Sequence, residues 1–237
     1  MSRGRSPQNI EGLQEKLKYR FRDRSLLLEA LTHKSHHHEN PQSGAFYNER
    51  LEFLGDSVVG LAVVEYLFRH PRKYSESVLA KLKSYLVGEN VFAEIADAIG
   101  LSDCILLGKG EDATGGRKKK SILADAFEAL LGAVYLDGGF DEARSVVLRL
   151  FRDKIEEVIL SGEFYDYKTE LQEQTQSRFG CLPEYRVVKE QGEDHRRIFT
   201  VAVFLQGENL GTASGSRKKE AESLAAREAL ERLRQEG

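Results

Sequence analysis

The sequence predicts two structural regimes in one chain: an all-α domain over residues 8–160, a linker at 161–165, and a small α+β domain of αβββα order over 166–235. Three observations carry this. Apolar residues recur at helical spacing in six runs before Leu160, without strand-like alternation. Leu160, Ser161, Gly162 and Glu163 then interrupt the pattern. Beyond them the period changes to two in three short segments lying between two helical ones.

The helical runs are Leu26 to Leu31, Leu51 to Phe68, Val78 to Val87, Val91 to Ile99, Ile122 to Leu136 and Asp141 to Ile159. Gly55, Gly88, Gly100 and Gly108, with Pro71, are expected to punctuate or close some of them. Asp141 is expected to cap the last, because its short carboxylate can accept from open first-turn amides. His33 and Ser35 in LTHKS read as cap and cross-link of a helix start. His36 to His38 invite a zinc reading, but consecutive side chains point to different sides and nothing completes a tetrahedral set. They read as an exposed loop.

In the second domain DYKTELQEQTQSRFG reads as a helix closed by Gly180. Tyr185 to Lys189, Arg197 to Leu205 and Leu210 to Ala213 read as strands. In the middle one Phe199, Val201 and Val203 share a face opposite Ile198, Ala202 and Phe204. Ser214 to Ser216 carry turn chemistry, and Ala226, Ala229, Leu230 and Leu233 follow helical spacing in a last helix.

Five carboxylates stand out in the first domain: Glu49, Glu52 and Asp56 in NERLEFLGDSVVG, and Asp125 and Glu128 in SILADAFEALLGA. At about 100° per residue the first three fall within roughly 60° of a helical wheel, and the other two share a face in the same way. Like charges so stacked repel, and a hard cation such as Mg²⁺ relieves that repulsion. A solvated acidic face is the commoner source of such a pattern on a single helix. The flanks favour the metal: Leu51, Leu54, Val58 and Leu61 are expected to form a core stripe opposite the acids. Phe53 lies beside the acids, where a surface helix carries a polar residue, so another part of the chain or another subunit is expected to cover it. Ala124, Ala129, Gly132 and Ala133 permit close helix packing in the second segment. Two such helices packed together would gather four or five carboxylates around one cavity.

These motifs together resemble the ribonuclease III family, double-strand-specific endoribonucleases. The resemblance rests on NERLEFLGDS, on LLLEALTHKS before it, on GGRKKK and SILADAFEALLGAVYLD after it, and on a C-terminal double-stranded RNA-binding pattern, spanning roughly residues 10 to 235. Tyr47 departs from it, standing where bacterial members often carry His.

The resemblance implies an all-α endonuclease domain. It assigns Glu52, Asp56, Asp125 and Glu128 to Mg²⁺, with Mn²⁺ substituting, and puts Asp56 and Glu128 nearest the chemistry. Glu49 is left at the edge as a supporting or substrate-positioning group. Water activated by the ion attacks in line, which implies 5′-phosphate and 3′-hydroxyl ends. A homodimer through the signature helices, with Phe53 buried at the two-fold axis, implies short 3′ overhangs. Double-stranded RNA is the implied partner, ribosomal precursors the implied substrates, and the cytoplasm the expected location. In the αβββα module Thr169 and Gln172 would meet the minor groove, His195 would make a contact from the loop between the first two strands, and Lys218 and Lys219, beside Arg217, would meet the phosphates. The loop reads Gly192-Glu193-Asp194-His195 where the family often has Gly-Pro-X-His. Arg117 to Lys120 read equally as a phosphate grip or a solvated basic loop.

Charge demands local argument. The chain carries a net −3; residues 164–237 hold 12 Lys and Arg against 13 Asp and Glu, so neither part is globally basic. No apolar run approaches the roughly 18 residues of a membrane span, and MSRGRSPQNIEG lacks a signal peptide's apolar segment. Neither a membrane nor an organic cofactor is expected. Cys104 and Cys181 are too few for a disulfide framework. Two other readings remain: a catalytically idle binder of structured RNA, which has no use for acids where phosphates approach, and a phosphohydrolase of small nucleotides, disfavoured by the RNA-binding pattern.

Overall fold

The computed structural model describes residues 9–40, 46–71, 74–162, 164–192 and 197–235. The chain falls into two compact units, 1–155 and 156–237.

The first unit is helical: α1 (Ile10–Leu17), α2 (Arg24–Ala30), α3 (Lys34–Glu39), α4 (Glu49–Arg69), α5 (Glu76–Leu86), α6 (Glu89–Ala98), α7 (Lys109–Ala113), α8 (Lys120–Gly138) and most of α9 (Phe140–Ser161). All six expected runs are helices. The short α1, α3 and α7 were not among them; α2 is as short, but Leu26, Leu27, Leu28 and Leu31 make it a dense apolar run that the others lack. Phe92, Phe127 and Phe151, from α6, α8 and α9, meet at the core with ring centroids 5.7–6.0 Å apart. The Asp137 carboxylate accepts from the Tyr19 hydroxyl (2.6 Å) and the Arg22 and Asp23 amides (2.9 and 2.8 Å), tying the end of α8 to the chain between α1 and α2.

The most extensively packed pair of elements is α4 and α8. A Cβ at Gly55 would overlap the Glu128 carbonyl oxygen, and one at Gly132 the Leu51 carbonyl oxygen. Backbone therefore meets backbone at this crossing. Gly55 is thus not the punctuation expected of it; it lies inside α4, where the absence of a side chain admits the neighbouring helix.

Four further expectations are corrected. Leu61 is 56% exposed and not in the core, whereas Leu51 and Val58 are buried. At about 100° per residue Leu61 stands about 80° from Leu51, beside the half-buried Leu54 at the edge of the stripe, while Val58 is only about 20° away. His36 to His38 belong to helix α3, not a loop. Helix α9 begins at Phe140, which puts Asp141 in its first turn. Ser214 and Gly215 end a strand and are not turn residues.

The second unit has α10 (Tyr167–Phe179), an antiparallel sheet of order β1-β2-β3 (Glu184–Gln191, Ile198–Leu205, Glu208–Gly215), and α11 (Lys218–Gln235). Asp166 caps α10 and Gly180, at φ 70°, closes it. Gln206 and Gly207, both at positive φ, make the two-residue β2–β3 turn whose twist suits a hairpin. Val201, Ala202 and Val203 of β2 are buried, as are Ala226, Ala229, Leu230 and Leu233 of α11.

Candidate metal centre and RNA-facing surface

The α4–α8 crossing brings the two acidic motifs together. Carboxylate oxygens of Glu52, Asp125 and Glu128 lie within 4.8 Å of one another, all three side chains half-buried. Asp56 follows Glu52 by one turn of α4; its side chain is exposed, and its charge acts on Glu128. Glu49 stands aside, paired with the Lys34 ammonium at 3.1 Å. A cavity of about 240 Å³, lined by Lys34, Asn48, Glu49, Glu52 and Asp125 with His33, opens beside the cluster.

The electrostatics follow from this crowding. Burial, then the charges of Asp56, Glu52 and Asp125, push the Glu128 carboxyl up to about 8. Burial raises Asp125 as well; Lys34 opposes the rise. Glu52 is raised by burial, Asp125 and Glu49. Three oxygen donors this close, each resisting ionisation, are a donor set that suits a hard divalent cation.

The sign of the pH effect is fixed by those directions. A carboxyl whose folded pKa exceeds its unfolded value stabilises most below the unfolded value, near 4.5 for Glu, and that contribution is lost as pH rises through about 8. Calorimetry in EDTA should therefore show the melting temperature of the first unit falling between pH 5 and 8.5. Millimolar Mg²⁺ should restore it at the alkaline end, where the ion meets ionised ligands. A metal-free protein equally stable across that range would contradict the assignment.

His33 and Ser35 do cap and cross-link: the imidazole Nδ1 lies 2.8 Å from the Ser35 hydroxyl at the start of α3. The basic run divides. Arg117 donates to Asp112 (2.8 Å) and to the carbonyls of Ser102 and Ile105 (2.9 and 2.8 Å), which makes it a staple within the fold. Lys119 pairs with Glu111, Lys120 donates to Asn90, and Lys118 is exposed.

In the second unit Thr169, Gln172 and Lys219 line one open cavity of about 460 Å³ with Lys168 and Tyr185. Three of the residues expected to face RNA are thereby brought together from α10 and α11. Thr169 also serves the helix, its hydroxyl donating to Asp166 at 2.8 Å. Lys218 is exposed, 4.0 Å from Glu222, a carboxylate that Lys168 holds at 2.6 Å. His195 lies outside the described residues. Phe53 is 81% exposed, and Leu61, Val64 and Phe68 continue an apolar stripe from it along α4. Lys34 and Asn48 were not singled out from sequence; nothing in their spacing marks them, and only the fold sets them against the acids.

Residues 23–155 match the Ribonuclease-III-like family and residues 167–233 the double-stranded RNA binding motif. Ribonuclease 3 of Campylobacter jejuni subsp. jejuni is 44% identical over 225 residues, covering 95% of this chain and 98% of that one. Ribonuclease 3 of Pelotomaculum thermopropionicum is 46% identical over 218 residues, covering 92% and 90%. A solved nuclease domain of ribonuclease III from C. jejuni, described for flexibility in a region involved in dimer formation, covers 61% of this chain and 97% of that one at 47% identity, with a TM-score of 0.57. No helix among the described residues is long and apolar enough to cross a membrane. With the acids clustered at a helix crossing and both family patterns matched in sequence order, the chain belongs to the ribonuclease III family, double-strand-specific endoribonucleases that carry a double-stranded RNA-binding module.

Proposed function

We propose that this enzyme cuts double-stranded RNA with Mg²⁺, or Mn²⁺ in its place, leaving 5′-phosphate and 3′-hydroxyl ends with short 3′ overhangs. Its work is the processing of ribosomal precursors and other structured transcripts in the cytoplasm. Residues 8–160 form its catalytic domain, 161–165 its linker and 166–235 its RNA-binding domain. The observation that carries this reading is the convergence of Glu52, Asp125 and Glu128 within 4.8 Å. Four carboxylates hold the ions: these three and Asp56, which shares the acidic face of α4. Asp56 and Glu128 stand nearest the reacting phosphate. Burial and the neighbouring carboxylates favour the protonated form of Glu128, and a bound cation would favour its ionised form instead. A divalent ion there supplies positive charge that polarises water and the scissile phosphate. Glu49, held by Lys34, supports the site from its edge.

Duplex RNA is taken by the second unit through shape: Thr169 and Gln172 at the minor groove, Lys218 and Lys219 at the phosphates, and His195 from the β1–β2 loop. The working unit is a homodimer. Phe53, Leu61, Val64 and Phe68 make an apolar stripe on α4 that a two-fold copy of the same helix covers. Long duplex RNA incubated with the protein in Mg²⁺ should be reduced to short duplexes with these ends; in Ca²⁺ it should be bound and left whole. Binding in both ions with cutting in neither would leave only a binder. Sedimentation should give a dimer at concentrations where cutting is complete, and a fully active monomer would remove the dimer reading.

A further inference from the structure

The cavity beside the acids has a wall of different character. Its acidic residues are Glu49, Glu52 and Asp125, and Lys34 and Asn48 line it beside them. Both are held in place by backbone. The His33 amide donates to the Leu106 carbonyl (3.0 Å) and the Asn48 amide to the Thr32 carbonyl (2.9 Å), which fixes the start of α3 against the start of α4. Asn48 is 2% exposed, and its side-chain Nδ2 has no hydrogen-bond partner among the described residues. A buried amide donor left open is rare, because its desolvation is uncompensated. An acceptor is what it lacks, and Asn48 is among the residues that line the cavity.

Lys34 points to the same acceptor. Its bond to Glu49 joins side chains 55% and 46% exposed, so solvent screens the pair and it exchanges easily. An ammonium has three N–H donors, and one is given to Glu49. A carboxylate wall alone would repel an incoming phosphodiester. An ammonium and an amide N–H beside the cation-binding acids supply the donors that a non-bridging phosphate oxygen accepts from.

We propose that Lys34 and Asn48 form a phosphate seat on the wall of the acidic cavity, taking a non-bridging oxygen of a backbone phosphodiester next to the cut. This rests on the reading that the acids cleave duplex RNA. Lys34 is then a substrate-binding residue whose bond to Glu49 is the resting arrangement, exchanged for phosphate when RNA arrives.

The test is Lys34→Gln in the full chain, with Lys34→Arg beside it. Three readouts are taken: single-turnover cleavage of a short duplex in Mg²⁺, duplex affinity in Ca²⁺ against salt, and Mn²⁺ binding to free protein by electron paramagnetic resonance. Lys34→Gln should lower kcat/KM about 10- to 100-fold, the loss expected of a bond to a charged group. It should reduce the slope of log affinity against log salt by about one phosphate contact. Mn²⁺ binding should be undiminished, since a competing positive charge has gone, and Lys34→Arg should recover most of the cleavage. Asn48→Ala should lower kcat/KM in the same direction with the salt slope unchanged, because an amide carries no charge. The seat is overturned if Lys34→Gln cleaves as the parent does, if the salt slope stays the same, or if Mn²⁺ binding falls in step with cleavage, which would make Lys34 only a brace for carboxylates. A parent protein that cuts no duplex in Mg²⁺ would instead sink the underlying reading.

Discussion

Glu128→Gln should lose cleavage by at least about 100-fold while duplex binding stays near that of the parent. The substitution keeps shape and removes one negative charge from a trio whose oxygens lie within 4.8 Å. A neutral amide oxygen is a weaker ligand for a hard cation, so the required Mg²⁺ concentration should rise as well. Binding should be spared because Thr169, Gln172 and Lys219, the residues proposed to contact RNA, belong to the other unit. The same variant should flatten the fall in metal-free stability between pH 5 and 8.5, since the most strongly raised carboxyl is gone. Gel-shift and cleavage assays on one duplex decide the matter; unchanged cutting would overturn the assignment of the site.

Among the glycines of the described residues, Gly55→Ala should be the most damaging, since an added Cβ there would make the closest approach to a neighbour. Alanine improves helix propensity by about 1 kcal/mol. Its Cβ would nevertheless overlap the Glu128 carbonyl oxygen, and backbone cannot swing aside as a side chain does. Overpacking costs about 3 kcal/mol or more, so the overlap wins by about 2 kcal/mol, which lowers the melting temperature by about 4–8 °C for a unit of this size. Activity should fall further than stability, because Glu52 and Asp56 flank Gly55 on α4 while the opposing carbonyl belongs to Glu128 itself. Gly60→Ala on the same helix is the control. A Cβ there meets only the end of the Lys83 side chain at 3.9 Å, so propensity should prevail and stability hold or rise. Thermal melts of the two variants beside the parent test the contrast. Equal behaviour would show that α4 and α8 can separate at no cost.

The legible part of this chain was its periodic part. Six of the helices, three strands and the glycine that closes α10 all announce themselves, since spacing of 3.6 or 2 is imposed by which face must leave water. The acids were legible too, because stacked like charges need an explanation that local structure does not supply. Short helices α1, α3 and α7 were not, lacking the dense apolar run that marks α2. Leu61 misled for a related reason: a helical wheel gives a direction, and whether a neighbour occupies it depends on residues far away in sequence. Arg117 looked like a free cation until the carbonyls of Ser102 and Ile105 were found around it.

By itself, the sequence determined the order of six helices in the first part and of αβββα in the second, the two-part organisation and the identity of the acids, all of which depend on residues within a few turns of one another. Only the tertiary structure decided that carboxylate oxygens of Glu52, Asp125 and Glu128 lie within 4.8 Å of one another, that Glu49 is turned to Lys34, and that the Asn48 side-chain donor is unmet among the described residues. Those outcomes hang on how closely two helices approach. That distance is set where Gly55 and Gly132 let backbone touch backbone, across a separation in sequence that no local pattern spans.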